Sequence, residues 1–402
     1  MNIGTPLGVD QYSRFMIAAY DEREAMGVST GFMAFFGNPM SAGKTLFSPD
    51  SEVVDIDILR GNRKIAALVN RGTDTKRISG KSNTAEPEFT TVTRKYPLIE
   101  ETGSIGSAKL NARVPGEAPY MSMDKIQRMR WHGLTIHMEH IRRITRLTEY
   151  LASLSVLTGQ HPAIFGTTNS DLIYDFQRSA GNTITPANTW NSGSQDILGD
   201  IDSACEQVRI NGKLMPDMMV LGEDAMAAFL DDTTVQELAD NRRFELIDVN
   251  SKPMPPKFDR FIASGMIPRG RLRTPSGFLL YMFSYLDSWE TDAGTDTKYM
   301  PADEVLIASS NARADRYFGP NDRLPMNSAK RQAYQEYFGF SPEAPPMPVN
   351  VENMSAVLNP AAFYCDAYEN ETGKTLTVRT QCAPIFATTA TDGFALLQNL
   401  IT

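Results

Sequence analysis

Residues 37–45 of this chain, GNPMSAGKT, end in the Gly-Lys-Thr of a phosphate-binding loop. Such a loop places four residues between its first glycine and the Gly-Lys-Thr, because that length lets successive backbone N–H groups wrap the phosphates. Here five residues separate Gly37 from Gly43, no apolar strand leads in, and Leu46-Phe47-Ser48-Pro49-Asp50 leads out where a helix belongs. The segment reads as a turn, not as a nucleotide site. A second Gly373-Lys374-Thr375 has Tyr368 where the first glycine should fall and runs into a strand, so it is weaker still.

The histidines are the next candidates. All four, His132, His137, His140 and His161, fall between positions 132 and 161. A zinc site needs three or four ligands converging on one point. Only His137 and His140, at i and i+3, share a side of a helix, and the intervening sequence is His-Met-Glu-His, not HExxH. They are expected as partly exposed helix-surface or interface histidines, with no metal. At a subunit boundary, their protonation near pH 6 would tune assembly. The same stretch carries Lys125, Arg128, Arg130, Arg142, Arg143 and Arg146 against Asp124, Glu139 and Glu149. That locally basic face reads as a solvated surface making ion pairs with acidic neighbours, and the sharper alternative is weak contact with nucleic acid.

Other chemistry is missing its residues. The three cysteines, Cys205, Cys365 and Cys382, have neither metal nor redox spacing, which fits a reducing compartment without structural disulfides. No Gly-x-Ser-x-Gly elbow, no Cys–His pair and no Rossmann glycine fingerprint stands out. Asp231-Asp232 and Glu100-Glu101 read as helix-start and turn charges. No catalytic residue, cofactor or metal is predicted, and the chain is not expected to be an enzyme.

Composition sets the frame for the elements. The chain has 402 residues with 42% hydrophobic, 22% charged and 9% aromatic residues, which is ordinary for a globular protein. Its length corresponds to two or three domains of about 150 residues each. No apolar run reaches the ~18 residues a membrane-spanning helix needs, and the first twenty residues lack the pattern of a signal peptide. The formal charge is −9, from 39 Lys+Arg against 48 Asp+Glu. A dedicated nucleic-acid binder would show a basic excess, because neutralising phosphates supplies most of that affinity.

The elements follow from periodicity. Residues 1–47 mix short apolar groups with Gly and Pro, including Phe32, Phe35, Phe36 and Pro39, and are expected to form an arm that lies on something else. Val54, Ile56 and Ile58 alternate with Asp55 and Asp57, a period-2 strand, and its partner runs over 89–99. Between them residues 70–88 are polar and cannot bury themselves, so they form a projecting tip. From 122 to 158 apolar residues recur at spacings of three and four, predicting one long helix capped by Ser122 and stopped by Gly159. At 1.5 Å per residue that is a rod of roughly 50 Å. Beyond a loop-rich stretch (160–195), a helix over 196–208, a buried strand at 218–221, a helix over 223–243 broken near Asp231, and strands at 278–285 and 304–308 compose an α/β unit. A Pro-rich passage (342–348) precedes two closing strand-like runs, 375–388 and 394–400.

An arm, a two-stranded projection, a very long helix, an α/β unit and returning strands describe a subunit completed by its neighbours. In that order the parts resemble the major capsid proteins of tailed bacteriophages, and in detail the lambda-like major capsid protein E family with its Hong Kong 97-type fold. Residues 89–101 (FTTVTRKYPLIEE) look like the family's return strand, and 142–160 (RRITRLTEYLASLSVLTGQ) are similar to the end of its spine helix. Residues 216–222 (PDMMVLG) match a strand leading into an axial-domain helix. Residues 300–319 (MPADEVLIASSNARADRYFG) and Gln381-Cys382-Ala383-Pro384 resemble further family segments.

The resemblance implies an α+β fold divided as follows: a 1–50 N-terminal arm, a 51–118 extended loop, and a 119–195 peripheral domain with the spine helix. A 196–318 axial domain follows, then a 319–390 peripheral return in which 321–370 reads as an insertion, and a 391–402 final strand. It implies a head protein that assembles into hexamers and pentamers around double-stranded DNA in the virion after assembly in the host cytoplasm. It further implies portal, scaffold or decoration partners and no membrane. Loop residues Arg71, Thr73, Lys76, Arg77 and Lys81 are then expected to contact a neighbouring subunit, with Arg128, Arg142, Arg143 and Arg146 on the spine helix. An encapsulin-like compartment shell is the alternative within the same fold, and a P-loop nucleotide-binding protein the more distant one.

Overall fold

The computed structural model describes residues 30–36, 45–47, 53–60, 88–112, 125–162, 173–240, 244–246, 258, 262, 265–291, 294–319, 364–369 and 375–401. Among the described residues the first elements are helix α1 (Gly31–Phe36) and strands β1 (Thr45–Phe47), β2 (Val53–Arg60), β3 (Glu88–Lys95) and β4 (Ile99–Gly106). Helices α2 (Ser107–Asn111) and α3 (Lys125–Thr158) follow, then strands β5 (Gln160–Pro162), β6 (Ile173–Asp175) and β7 (Thr183–Ile184). Helix α4 (Ile197–Gln207), strand β8 (Met218–Leu221) and helices α5 (Glu223–Asp231) and α6 (Thr233–Asp240) come next. Strands β9 (Phe244–Leu246), β10 (Ile267–Arg273), β11 (Leu279–Ser284), β12 (Ser288–Glu290), β13 (Asp296–Lys298), β14 (Val305–Ala308) and β15 (Ala314–Phe318) continue the chain. It closes with β16 (Tyr364–Glu369), β17 (Thr375–Cys382), β18 (Pro384–Thr388) and β19 (Phe394–Leu397).

The centre is a seven-stranded sheet of order β7-β19-β14-β8-β11-β10-β9. Strands β8, β14 and β19 are buried at every position, which is why each reads as an unbroken apolar run with no alternation. One face is covered by α4 and α5 through Ile197, Ile201, Met226 and Phe229. The other is covered by α1 and the C-terminal half of α3 through Phe32, Phe36, Ala152 and Val156. Helix α4 starts where the sequence places it: the Asp196 side chain accepts the Gly199 N–H at 3.0 Å, the bond expected of an N-cap. The break near Asp231 has the same chemistry, with Asp232 accepting from Val235 N–H at 2.9 Å to start α6.

Helix α3 is 34 residues long, about 51 Å. Its buried stripe includes Ile141, Ile144, Thr148, Leu151, Ala152 and Val156, at the three- and four-residue spacing of one helical face. The hydroxyls of Thr145, Thr148 and Ser155 bond carbonyls four residues back at 2.7, 2.7 and 2.9 Å, so no buried donor on this stripe is stranded. The helix stops at Gly159, whose φ of +74° suits glycine. Arg178 then donates to the terminal carbonyls of Val156 and Leu157. Ser122, expected as the N-cap, lies outside the described residues.

Strands β2 and β3 form an antiparallel hairpin in register from Val53↔Lys95 to Arg60↔Glu88. Val54, Ile56 and Ile58 point inward against Tyr174, Tyr317 and Ile385, while Asp55 and Asp57 face out and accept from Thr93 and Thr91 at 2.6 and 2.7 Å. The polar tip, with Arg71, Thr73, Lys76, Arg77 and Lys81, lies outside the described residues, as do the glycines and lysine of GNPMSAGKT and most of 321–370.

Three sequence expectations need correction. Strand β4 does not continue the hairpin but turns away at Pro97 and pairs with β17 from Ile99↔Cys382 to Gly106↔Thr375. The apolar run 375–388 is two strands in two sheets, β17 beside β16 and β4, and β18 beside β15. The arm is also not wholly laid on something else. Helix α1 buries Phe32 and Phe36 in this chain's own core, and β1 pairs in parallel with β15.

Candidate functional site

Helix α3 makes three junctions with the rest of the chain. The first is built around Glu149, an acid on the core-facing stripe. Its Oε1 accepts the Phe32 N–H at 2.7 Å and its Oε2 the Met33 N–H at 3.0 Å, while the Tyr285 hydroxyl donates to Oε1 at 3.2 Å. One carboxyl thus ties the first turn of α1 to the long helix and to the residue following β11. Phe32 meets Tyr285 edge to face at 5.5 Å, and Phe36 meets Phe394 at 4.9 Å. Burial pushes the Glu149 carboxyl up to about 7, against the hydrogen bonds from Met33, Phe32 and Tyr285.

The second junction joins the N-terminal half of α3 to the β16-β17-β4 sheet. Nδ1 of His137 and Nδ1 of His140 lie 2.9 and 3.1 Å from one hydroxyl, Thr380 Oγ1. A hydroxyl has a single proton, so with both rings neutral one nitrogen accepts and the other donates. Strand β4 crosses close above: a Cβ on Gly103 would stand 2.4 Å from Ile136 Cγ2, so only glycine permits this approach. His137 and His140 are 3% and 5% exposed, which corrects the expectation of partly exposed histidines. Burial, with help from His140, pulls His137 down to about 4, and burial alone sets the fall of His161 to about 4. His161 stacks on Tyr174 at 6.2 Å, and His132 lies on α3 near the Lys109 carbonyl at 3.3 Å. The four histidines therefore do not converge, and a response near pH 6 has no exposed pair to act through.

The third junction is the arginine face. Arg142, Arg143 and Arg146 all reach Glu139, at 3.2, 3.8 and 3.8 Å, and Arg143 also reaches Glu101 of β4 at 3.5 Å. Arg128 instead donates to the Leu110 carbonyl at 3.2 Å, closing the end of α2. Three of the four arginines singled out from the sequence are thus gathered on one acid, and the fourth braces a neighbouring helix. Arg143 and Arg146 keep 60% and 44% of their side chains exposed, so exposed pairs of this kind each contribute at most about 1 kcal/mol.

Sequence reasoning passed over Thr380 and Arg178, and it counted Glu149 only among the acids of a solvated face, whereas the side chain is fully buried. Glu149 had a readable signal, an acid among Thr145, Thr148, Ala152 and Val156 on the apolar side of the helix. Thr380 and Arg178 had none, because their partners are set by strand register and chain return.

Among the described residues no helix is long and apolar enough to cross a membrane, and no three His, Cys, Asp or Glu side chains are grouped to hold a metal ion. No curated protein matches the sequence. A solved prophage capsid protein from E. coli CFT073 is 16% identical, covering 95% of this chain and 97% of that one, with a TM-score of 0.56. More distant likenesses are the mature capsid of bacteriophage PhiM1, 9% identical over 90% of this chain and 86% of that one with a TM-score of 0.42, and an encapsulin from Synechococcus elongatus PCC 7942, 9% identical over 88% and 85% with a TM-score of 0.39. The prophage protein shows the fold: a mixed α+β arrangement shared with a phage capsid structure. Residues 44–398 match the family of phage major capsid protein E. The chain belongs to that family, and it is a capsid shell protein.

Proposed function

We propose that identical copies of this chain form hexamers and pentamers that tile a closed icosahedral shell around double-stranded phage DNA. The observation that carries the reading is the match to the phage major capsid protein E family over residues 44–398. Its mechanism is mechanical and uses no catalysis or cofactor. Helix α3 acts as the spine, because it touches both the β16-β17-β4 layer and the seven-stranded sheet, and so fixes their relative orientation. That sheet with α4–α6, over 196–318, is the axial domain, and the 391–402 strand returns to it. Residues 119–195 and 319–390 compose the peripheral domain, and 321–370 is an insertion in its return.

The 51–118 region is the extended loop, whose tip reaches over a neighbouring subunit and places Arg71, Thr73, Lys76, Arg77 and Lys81 at the contact. Residues 1–50 are the arm, which α1 and Glu149 anchor to this subunit's core. Arg128, Arg142, Arg143 and Arg146 stiffen the spine through Glu139 and α2. The shell takes a portal, scaffold or decoration partner, assembles in the host cytoplasm and becomes part of the virion. With a net charge of −9 it contains DNA without gripping it by sequence. Deleting residues 73–86 tests the loop: the expected product is a folded, soluble subunit that does not close into shells. Normal particles from the deletion would contradict the assignment.

A further inference from the structure

Helix α1 is held by apolar packing and by one polar group. Its six residues are too few for a helix to persist without tertiary contacts, so α1 exists only while it is docked. Phe32 and Phe36 supply the apolar part, in the core beside Ala152, Val156 and Phe394. Gly31 lies so close that a Cβ there would stand 2.6 Å from Met266 Cε. The polar part falls on Glu149, whose carboxyl accepts the first-turn N–H groups of Phe32 and Met33. A helix has no partners of its own for these N–H groups, and water takes them once α1 undocks.

Docking therefore strips water from a carboxyl, and undocking returns it. Ionised, the docked Glu149 is a buried charge with three donors and, among the described residues, no bonded cation. Protonated, it carries no charge, and its O–H can donate to the Tyr285 oxygen instead of accepting from it. The neutral form is thus the one that docking favours. The ionisable groups around it leave that sign in place. Helix α1, GFMAFF, brings none. After β11, the Tyr285 hydroxyl favours the ion by donating to it, while Asp287 opposes the ion by its own charge. Tyr299 stacks on Tyr285 at 5.7 Å, and burial and then the Glu149 charge push its phenol up, so it stays neutral. On α3 itself, Arg146 reaches Glu139 at 3.8 Å.

We propose that Glu149 is a proton-operated latch on α1: its neutral carboxyl holds the helix to the core, and ionisation lets α1 open locally while the seven-stranded sheet stays folded. Docking then weakens about tenfold per pH unit between pH 4.5, the ordinary carboxyl value, and pH 7, and is level on either side. This makes the anchoring of the 1–50 arm responsive to pH. The latch works within one chain, so it is tested apart from the shell reading.

Hydrogen exchange of the full chain from pH 5 to 8 tests it, read as protection factors so that the intrinsic pH dependence of exchange is removed. Amides 32–36 are expected to be less protected than those of β8 and β14 at every pH, the mark of local opening. They are also expected to lose protection about tenfold per unit up to pH 7 and then level off. Glu149→Gln cannot titrate and is expected to abolish the slope. Tyr285→Phe removes one donor to the carboxylate, so its slope is expected to continue to higher pH, and this variant serves should Glu149→Gln not fold. Amides 32–36 as protected as the sheet would overturn the latch, because α1 would then leave only with the whole fold. A flat profile in the unaltered chain, or an endpoint unmoved in Tyr285→Phe, would overturn it as well. A slope kept in Glu149→Gln would do so too, and would pass the effect to another group such as Glu304, which burial also pushes up to about 7.

Discussion

Glu149 and His137 sit about three turns apart on one helix and respond to pH in opposite directions. The folded value of Glu149, about 7, lies above its ordinary 4.5. Between those values the folded chain holds a proton that the unfolded chain has released, so stability falls as pH rises across the window, by up to about 3 kcal/mol. Glu149→Gln keeps the shape and an acceptor for α1 but cannot titrate. Its melting temperature is expected to lack this decline between pH 5 and 8 when both proteins are scanned by calorimetry. His137 is held neutral, with a folded value of about 4 against 6.5. Below pH 6.5 the unfolded chain takes up the proton first, so stability is lost as pH falls toward 4. His137→Gln is expected to flatten that acid limb by about 1 kcal/mol per pH unit in urea titrations. The windows overlap with opposite sign, so each is read from its own variant. Neither group's role was legible from residue type alone: the histidines' clustering in sequence suggested a surface, and only the strand β17 with Thr380 shows that they are interior.

At the scale of elements, the period of the sequence was informative wherever one chain segment decides its own burial. The alternation of Val54, Ile56 and Ile58, the α3 stripe and the unbroken run at β8 all appear as expected. Strand β10, IPRGRLR, was missed because its apolar residues are sparse and its partners Tyr281 and Leu280 lie in the next strand. The run 375–388 looked like one strand because Ala383, where the chain changes sheets, is as buried as its neighbours. Helix α1 was hidden by its length: six residues are too few to form a helix without tertiary packing. The Phe32 and Phe36 spacing of four was its only sign, and it points to packing as the source of its stability. Phe32→Ala is therefore expected to cost about 3–5 kcal/mol if α1 belongs to the cooperative unit. Urea unfolding measures the loss, and hydrogen exchange at residues 31–36 reports whether the helix detaches from the rest.

For the whole molecule, composition describes an ordinary acidic chain, and two features of the fold change that description. A single helix of 34 residues connects layers that would otherwise be separate small cores, and β2 and β3 form a hairpin whose inner face is already satisfied by this chain. A chain of the phage major capsid protein E family is built for a repeated assembly. Negative-stain electron microscopy of the purified, unaltered chain tests that claim most directly. The account predicts capsomer rings or closed polyhedral shells, and a uniform population of monomers across protein concentrations would contradict it.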